Sequence, residues 1–151
     1  MATDALSRTQ SMAKPPRSYW VVSGLALVWM LIGVLAWIAD LMMNAALADW
    51  TEAQRQLYEM RPQWLFWVYA IAVFSGLFGA IALLLRKAWS IPLFVLSLVA
   101  IIVQFGYTFL VMKAAQLLGA GAVAFPLLIF AIGVFLLWFS LRAKRAGWIQ
   151  T

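Results

Sequence analysis

The chain has 151 residues, of which 66% are hydrophobic and 11% charged, and its net charge is +6. A soluble domain is close to half apolar, so this chain would expose large greasy patches in water, and its natural solvent is a bilayer. It contains no cysteine and no histidine, which excludes disulfides, Fe–S clusters, c-type haem attachment and thiol catalysis and removes the commonest general base and metal ligand.

Residues 1–18 are polar and carry Pro15–Pro16 at their end. They are expected to be a disordered cytoplasmic segment, and translation can start at Met1 or Met12. A bilayer core about 30 Å thick needs about 20 mostly apolar residues in helical form. Four stretches qualify, 20–43, 64–85, 91–112 and 122–141. Together they predict a transmembrane domain over 19–141, followed by a basic cytoplasmic tail, 142–151. Ala46–Leu47–Ala48 resembles a signal-peptidase site, but a signal h-region runs only about 7–15 residues. The apolar run before it is longer, and an uncut anchor is expected.

Between the first two spans lies a polar island, "LADWTEAQRQLYEMRPQW" (47–64), with three of the chain's five acids, Asp49, Glu52 and Glu59. Thr51 followed by Gln54 fits a capping box, and the helix it opens must end near Pro62. Trp50, Ala53, Leu57, Met60 or Arg61, and Trp64 recur at roughly helical spacing, which predicts a short amphipathic periplasmic helix on the membrane surface. Its acids then face water, either as the outer side of a packing lid or as an attractor for a cation or basic partner.

The second span contains "AVFSGLFGA". Ala72, Gly76 and Ala80 recur every four residues, as do Ser75 and Gly79. Such small-residue stripes let a neighbouring helix approach closely, whether from the same chain or another. In the third span Ser90 is expected to cap the helix, with Pro92 in its first turn. A polar seam follows: Ser97, Gln104, Tyr107 and Thr108. Gln104 lies about 18 Å along the helix from Pro92, and Asp40 about 30 Å from Trp20. Asp40, Tyr69, Gln104, Tyr107 and Thr108 therefore share similar depth in the outer half. They serve either as interhelical hydrogen bonds, the commoner use, or as an outward-facing pocket for a small polar solute or cation. The triplet Ile–Gly–Val occurs at 32–34 and 132–134, too short to establish a repeat.

Orientation follows from charge. With a cytoplasmic N-terminus the inner segments hold Arg8, Lys14, Arg17, Arg86, Lys87, Arg142, Lys144 and Arg145. The outer loops hold Arg55, Arg61 and Lys113. This distribution obeys the positive-inside rule with both termini inside. Trp20, Trp89, Trp138 and Trp148 then mark the inner interface and Trp37, Trp50, Trp64 and Trp67 the outer; only Trp29 falls mid-membrane. The basic residues come in twos and threes between apolar runs, a pattern of orientation and anionic-lipid contact rather than nucleic-acid binding.

Pro62 and Trp64, Val73, Gly76 and Gly79, "LLLRKAW" at 83–89, and Phe94 with Ser97–Leu98 together resemble a group of small bacterial inner-membrane proteins. That group has four helices and an undetermined role, and some members carry the label "sugar transporter". The resemblance covers roughly residues 60–110. It implies a bacterial inner membrane and carries no catalytic or binding residues over.

The expected molecule is all-α and polytopic: four transmembrane helices in an antiparallel bundle, with no catalytic residues, metal or cofactor. Its partners are the lipid bilayer and a second copy or another membrane protein. The function expected first is non-enzymatic helix–helix contact, with the face Ala72, Ser75, Gly76, Gly79 and Ala80 as its candidate. The alternative is a small oligomeric transporter or channel using the outer polar cluster.

Overall fold

A computed structural model of the chain describes residues 13–43 and 49–150. Every named element is helical. They are α1 (Arg17–Leu41), α2 (Glu52–Met60), α3 (Gln63–Leu84), α4 (Ser90–Gly106), α5 (Ala114–Leu118) and α6 (Ala124–Arg145). A π-helical turn, Tyr107–Val111, prolongs α4, and a 3-10 turn, Ala120–Val123, leads into α6. Four helices are long and apolar enough to cross a membrane: Arg17–Leu41, Gln63–Leu84, Ser90–Val111 and Ala120–Arg145. The expected spans 20–43, 64–85, 91–112 and 122–141 fall on them. Met12 and the Ala46–Leu47–Ala48 triplet lie outside the described residues.

The helix boundaries have local causes. Thr51 accepts from the Gln54 amide at 3.3 Å while the Gln54 side chain accepts from the Thr51 amide at 3.0 Å, so the capping box starts α2. Pro126 occupies the first turn of α6, where a missing N–H costs nothing. Ser90 does not cap α4. The preceding Trp89 already has helical dihedrals, so Ser90 lies inside the first turn, and its buried hydroxyl has no partner among the described residues.

The helices α3 and α6 end alike. In each, a residue in the left-handed region follows the last turn, and two amides fold back onto helix carbonyls, the Schellman arrangement. At α6 the residue is Gly147 (φ +75), with Trp148 N–H bonded to the Ala143 carbonyl at 2.9 Å. At α3 it is Arg86 (φ +58), with Lys87 N–H bonded to the Ala82 carbonyl at 2.8 Å. An L residue pays roughly 1–2 kcal/mol for that conformation.

Arg86 recovers this cost through its other bonds. Its Nε donates to the Trp148 carbonyl at 2.7 Å and its Nη2 to the Ala13 carbonyl at 2.8 Å. Its own carbonyl accepts from Gln150 N–H at 2.9 Å, and Ala88 N–H donates to Gln150 at 2.6 Å. One residue thus ties the α3–α4 turn to both ends of the described chain. We call this side of the molecule the terminal end.

Packing centres on α3. The small residues Ala72, Ser75, Gly76, Gly79 and Ala80 are all buried along it, and their neighbours come from this same chain. A Cβ on Gly76 would lie 2.6 Å from the Met30 sulfur of α1 and 3.1 Å from the Ser97 hydroxyl of α4. One on Gly79 would lie 2.9 Å from the Phe94 ring of α4. The Ser97 hydroxyl donates to the Ala72 carbonyl at 2.7 Å, joining α4 to α3, while Ser75 bonds back to Ile71 within its own helix. Along α1 the contacts with α3 run in reversed order: Tyr19 donates to the Leu83 carbonyl, Met30 meets Gly76, and Trp37 stacks on Phe66 at 5.1 Å. The last long helix, α6, packs on α4, with Gly133 against Leu98.

At the terminal end α1 and α6 also meet. Tyr19 stacks on Phe139 at 5.8 Å, and Ala26, Met30, Ala80, Leu83, Phe94, Leu136 and Ala143 fill one buried cluster around them. The outward surfaces are apolar: Val21, Leu25, Val28, Ile32 and Leu35 of α1 and Leu127, Leu128, Val134 and Phe135 of α6 are exposed. A surface of that kind and extent is compatible with an integral membrane protein, because lipid tails leave it at no cost.

Candidate functional site

The other half of the molecule is built differently. Beyond the buried cluster a cavity of about 150 Å³ opens among all four long helices. Its walls include Trp29, Gly33 and Ala36 from α1, Tyr69 and Val73 from α3, Gln104 and Phe105 from α4, and Phe125, Ile129 and Gly133 from α6. Most of this lining is hydrocarbon and aromatic ring. Among the described residues, none that lines it is charged.

The polar residues singled out in the sequence divide here into two groups. Tyr69 and Gln104 both line the cavity. The α3–α4 register that pairs Gly79 with Phe94 and Gly76 with Ser97 brings these two side chains level with one another across the helix pair. Neither side chain takes a hydrogen-bond partner among the described residues; Gln104 is bonded only through its backbone carbonyl. The phenol and the carboxamide are therefore available to a third molecule.

Asp40, Tyr107 and Thr108 are engaged elsewhere. Asp40 accepts from Arg61 Nη1 at 2.8 Å, a partly buried ion pair that joins the end of α1 to the α2–α3 link. The Arg61 guanidinium also lies over the Tyr58 ring at 5.0 Å and the Phe66 ring at 5.7 Å. Tyr107 meets Trp64 edge-on at 5.0 Å. The Thr108 hydroxyl donates to the Gln104 carbonyl at 2.8 Å, satisfying itself within its own helix. This bond falls where α4 turns π-helical, with Met112 N–H reaching the Tyr107 carbonyl at 3.1 Å. Such widened turns frequently sit at functional sites.

Several wall residues were not among the sequence candidates. Trp29 had one available signal, its mid-membrane depth in a chain whose other tryptophans mark interfaces. Gly33 and Gly133, which face the cavity from opposite helices, are the central residues of the two Ile–Gly–Val triplets. Phe105, Phe125 and Ile129 gave no signal, since any apolar residue in a span looks alike in sequence.

The arrangement offers hydrogen-bonding groups on an apolar wall. A carboxamide and an aromatic hydroxyl hold and orient a ligand, and neither is a ready general base near neutral pH. Comparisons of the chain with protein-family models, with curated proteins and with solved structures find no match.

Proposed function

We propose that this chain is a multi-pass, non-enzymatic protein of the bacterial inner membrane that binds a small neutral molecule inside the bilayer. In this reading the four long helices form an antiparallel transmembrane bundle with both termini cytoplasmic and α2 on the periplasmic surface. The positive-inside count supports that orientation, and so does the kinship we assign to the small four-helix bacterial proteins that the chain resembles. The observation that carries the reading is the uncharged cavity between α1 and α6, with Tyr69 and Gln104 on its wall and their side chains without a hydrogen-bond partner among the described residues.

The chemistry of the lining selects the ligand's charge. An ion entering a low-dielectric site without a counter-charge loses several kcal/mol, roughly, of hydration. Asp40, the one acid at this end of α1, is already committed to Arg61. A neutral solute therefore suits the cavity better than a cation. Contact with a second copy or a membrane partner would have to use other faces, because the small-residue stripe of α3 is filled by α1 and α4.

The test is native mass spectrometry of the protein released from lipid nanodiscs, compared with Ile129→Trp, which fills the cavity. A neutral adduct retained by the native chain and lost from the variant is expected. An adduct-free spectrum for the native chain, or one unchanged by the variant, would overturn the binding reading. A reporter fused after Gln56 checks the orientation separately and should read as periplasmic.

A further inference from the structure

We infer that the cavity is a site for a quinone-type ring: a flat, neutral, bilayer-dissolved ring carrying carbonyl groups, with its hydrocarbon tail left in the lipid. This inference rests on the binding reading above and names its ligand class. Four features of the site lead to it.

Size comes first. A void of about 150 Å³ takes one six-membered ring and little more. Shape and surface come second. Trp29, Phe105 and Phe125 supply aromatic side chains from three different helices, the kind of wall on which a flat π-system packs by offset stacking or edge contact. Donors come third. The Tyr69 hydroxyl and the Gln104 amide N–H are both hydrogen-bond donors on the cavity wall, neither finds an acceptor among the described residues, and they stand level on adjacent helices. A saturated ring or an acyl chain would leave these groups buried and unpaired on binding, whereas ring carbonyls would satisfy them.

Access comes fourth. Along their length α1 packs chiefly on α3 and α6 chiefly on α4, and beyond Met30 residues of both α1 and α6 line the cavity. Their opposing residues Ile32 and Phe125 line the cavity and are also exposed on the apolar outer surface. A ligand can therefore enter sideways from the bilayer, where such rings are dissolved, without crossing an aqueous surface. The terminal end offers no equivalent route, because Tyr19, Phe139 and the Arg86 ties close it.

The probe pair is a decyl-tailed benzoquinone and decylbenzene, which share a tail and a ring but differ in the carbonyl groups. The full chain in nanodiscs is titrated with the quinone while tryptophan fluorescence is followed, and Trp29→Phe isolates the contribution of the cavity tryptophan. We expect saturable quenching that depends on Trp29 and is not displaced by equimolar decylbenzene. Gln104→Leu and Tyr69→Phe should each weaken it roughly tenfold, the loss of about one hydrogen bond. Both variants are first shown to melt at the native temperature, and Tyr69→Phe, which keeps the ring, guards against a folding defect in the other.

Displacement by decylbenzene as readily as by unlabelled quinone, or native affinity in both variants, would overturn the quinone inference while leaving a neutral-ligand cavity standing. If neither compound binds saturably, by quenching or by thermal shift, both the inference and the binding reading fall.

Discussion

The two halves of this molecule use the same four helices to opposite ends. At the terminal end the facing residues are small or complementary: Ser23, Ala26, Ala80, Ser140 and Ala143 let the backbones close, and Tyr19 and Phe139 fill what remains. In the other half Gly33 and Ala36 of α1 and Phe125 and Ile129 of α6 line a cavity, with Trp29, packed against the terminal cluster, at its border. The terminal half has further ties through Arg86, which also order the chain on either side of the bundle. A bundle can thus be rigid at one end and receptive at the other by choice of side-chain volume alone. Lipid supplies no hydrophobic drive to close the open end, since its tails are as apolar as the walls.

That contrast can be broken most directly by adding volume to each half. Gly79→Leu would drive a side chain into the Phe94 ring, 2.9 Å from where its Cβ must stand. A loss of about 3 kcal/mol is expected, at the upper end of overpacking effects. Ile129→Phe adds comparable bulk beside the cavity and should cost less than about 1 kcal/mol, since empty space receives it. Unfolding of the two variants side by side in nanodiscs measures the difference; equal losses would mean that the halves are packed alike.

A smaller effect concerns the ties at the terminal end. Arg86→Ala keeps the strained dihedral and removes both guanidinium bonds, for an expected loss of about 2 kcal/mol. Arg86→Gly loses the same bonds but relieves the backbone, and should recover about 1 kcal/mol of that. Thermal melts order the three chains. A glycine variant no more stable than the alanine variant would show that the left-handed conformation carries no strain here.

The smallest effect sharpens the comparison from the open side. Asp40→Asn weakens the pair with Arg61 and should change stability by less than about 1 kcal/mol, because such pairs near an aqueous rim gain little net energy. Quinone quenching should be unaltered, since Asp40 does not line the cavity. A marked loss of binding would place Asp40 in the site after all.

The legibility of this chain in its sequence varied from feature to feature. The Thr51–Gln54 box announced α2, because a cap is made by residues three apart and needs nothing distant. The small-residue stripe of α3 was equally visible, and it is buried throughout. Its partner was not visible, since the pattern is the same for a neighbour in the same chain or another. The polar seam of α4 was read as one cluster with Asp40. In the structure Gln104 and Tyr69 face the cavity, while Thr108 bonds back to its own helix and Tyr107 turns to Trp64. Arg86 was read as one more inside charge, because neither its left-handed backbone nor its bonds to Ala13 and Trp148 leave a mark in the one-letter code.

The sequence by itself determined that the chain is helical and that four of its helices are long and apolar enough for a bilayer. It also set the clustering of basic and acidic residues and ruled out cysteine and histidine chemistry. These follow from hydropathy, helical period and composition, all of which are local or additive. Only the tertiary structure decided which helices touch, that α1 and α6 meet at Tyr19 and Phe139 and both line a cavity farther along, and that Tyr69 and Gln104 stand level without a side-chain hydrogen bond among the described residues. Those outcomes depend on the rotation of each helix about its own axis and on side-chain volumes summed across four helices, and no single stretch of sequence contains either.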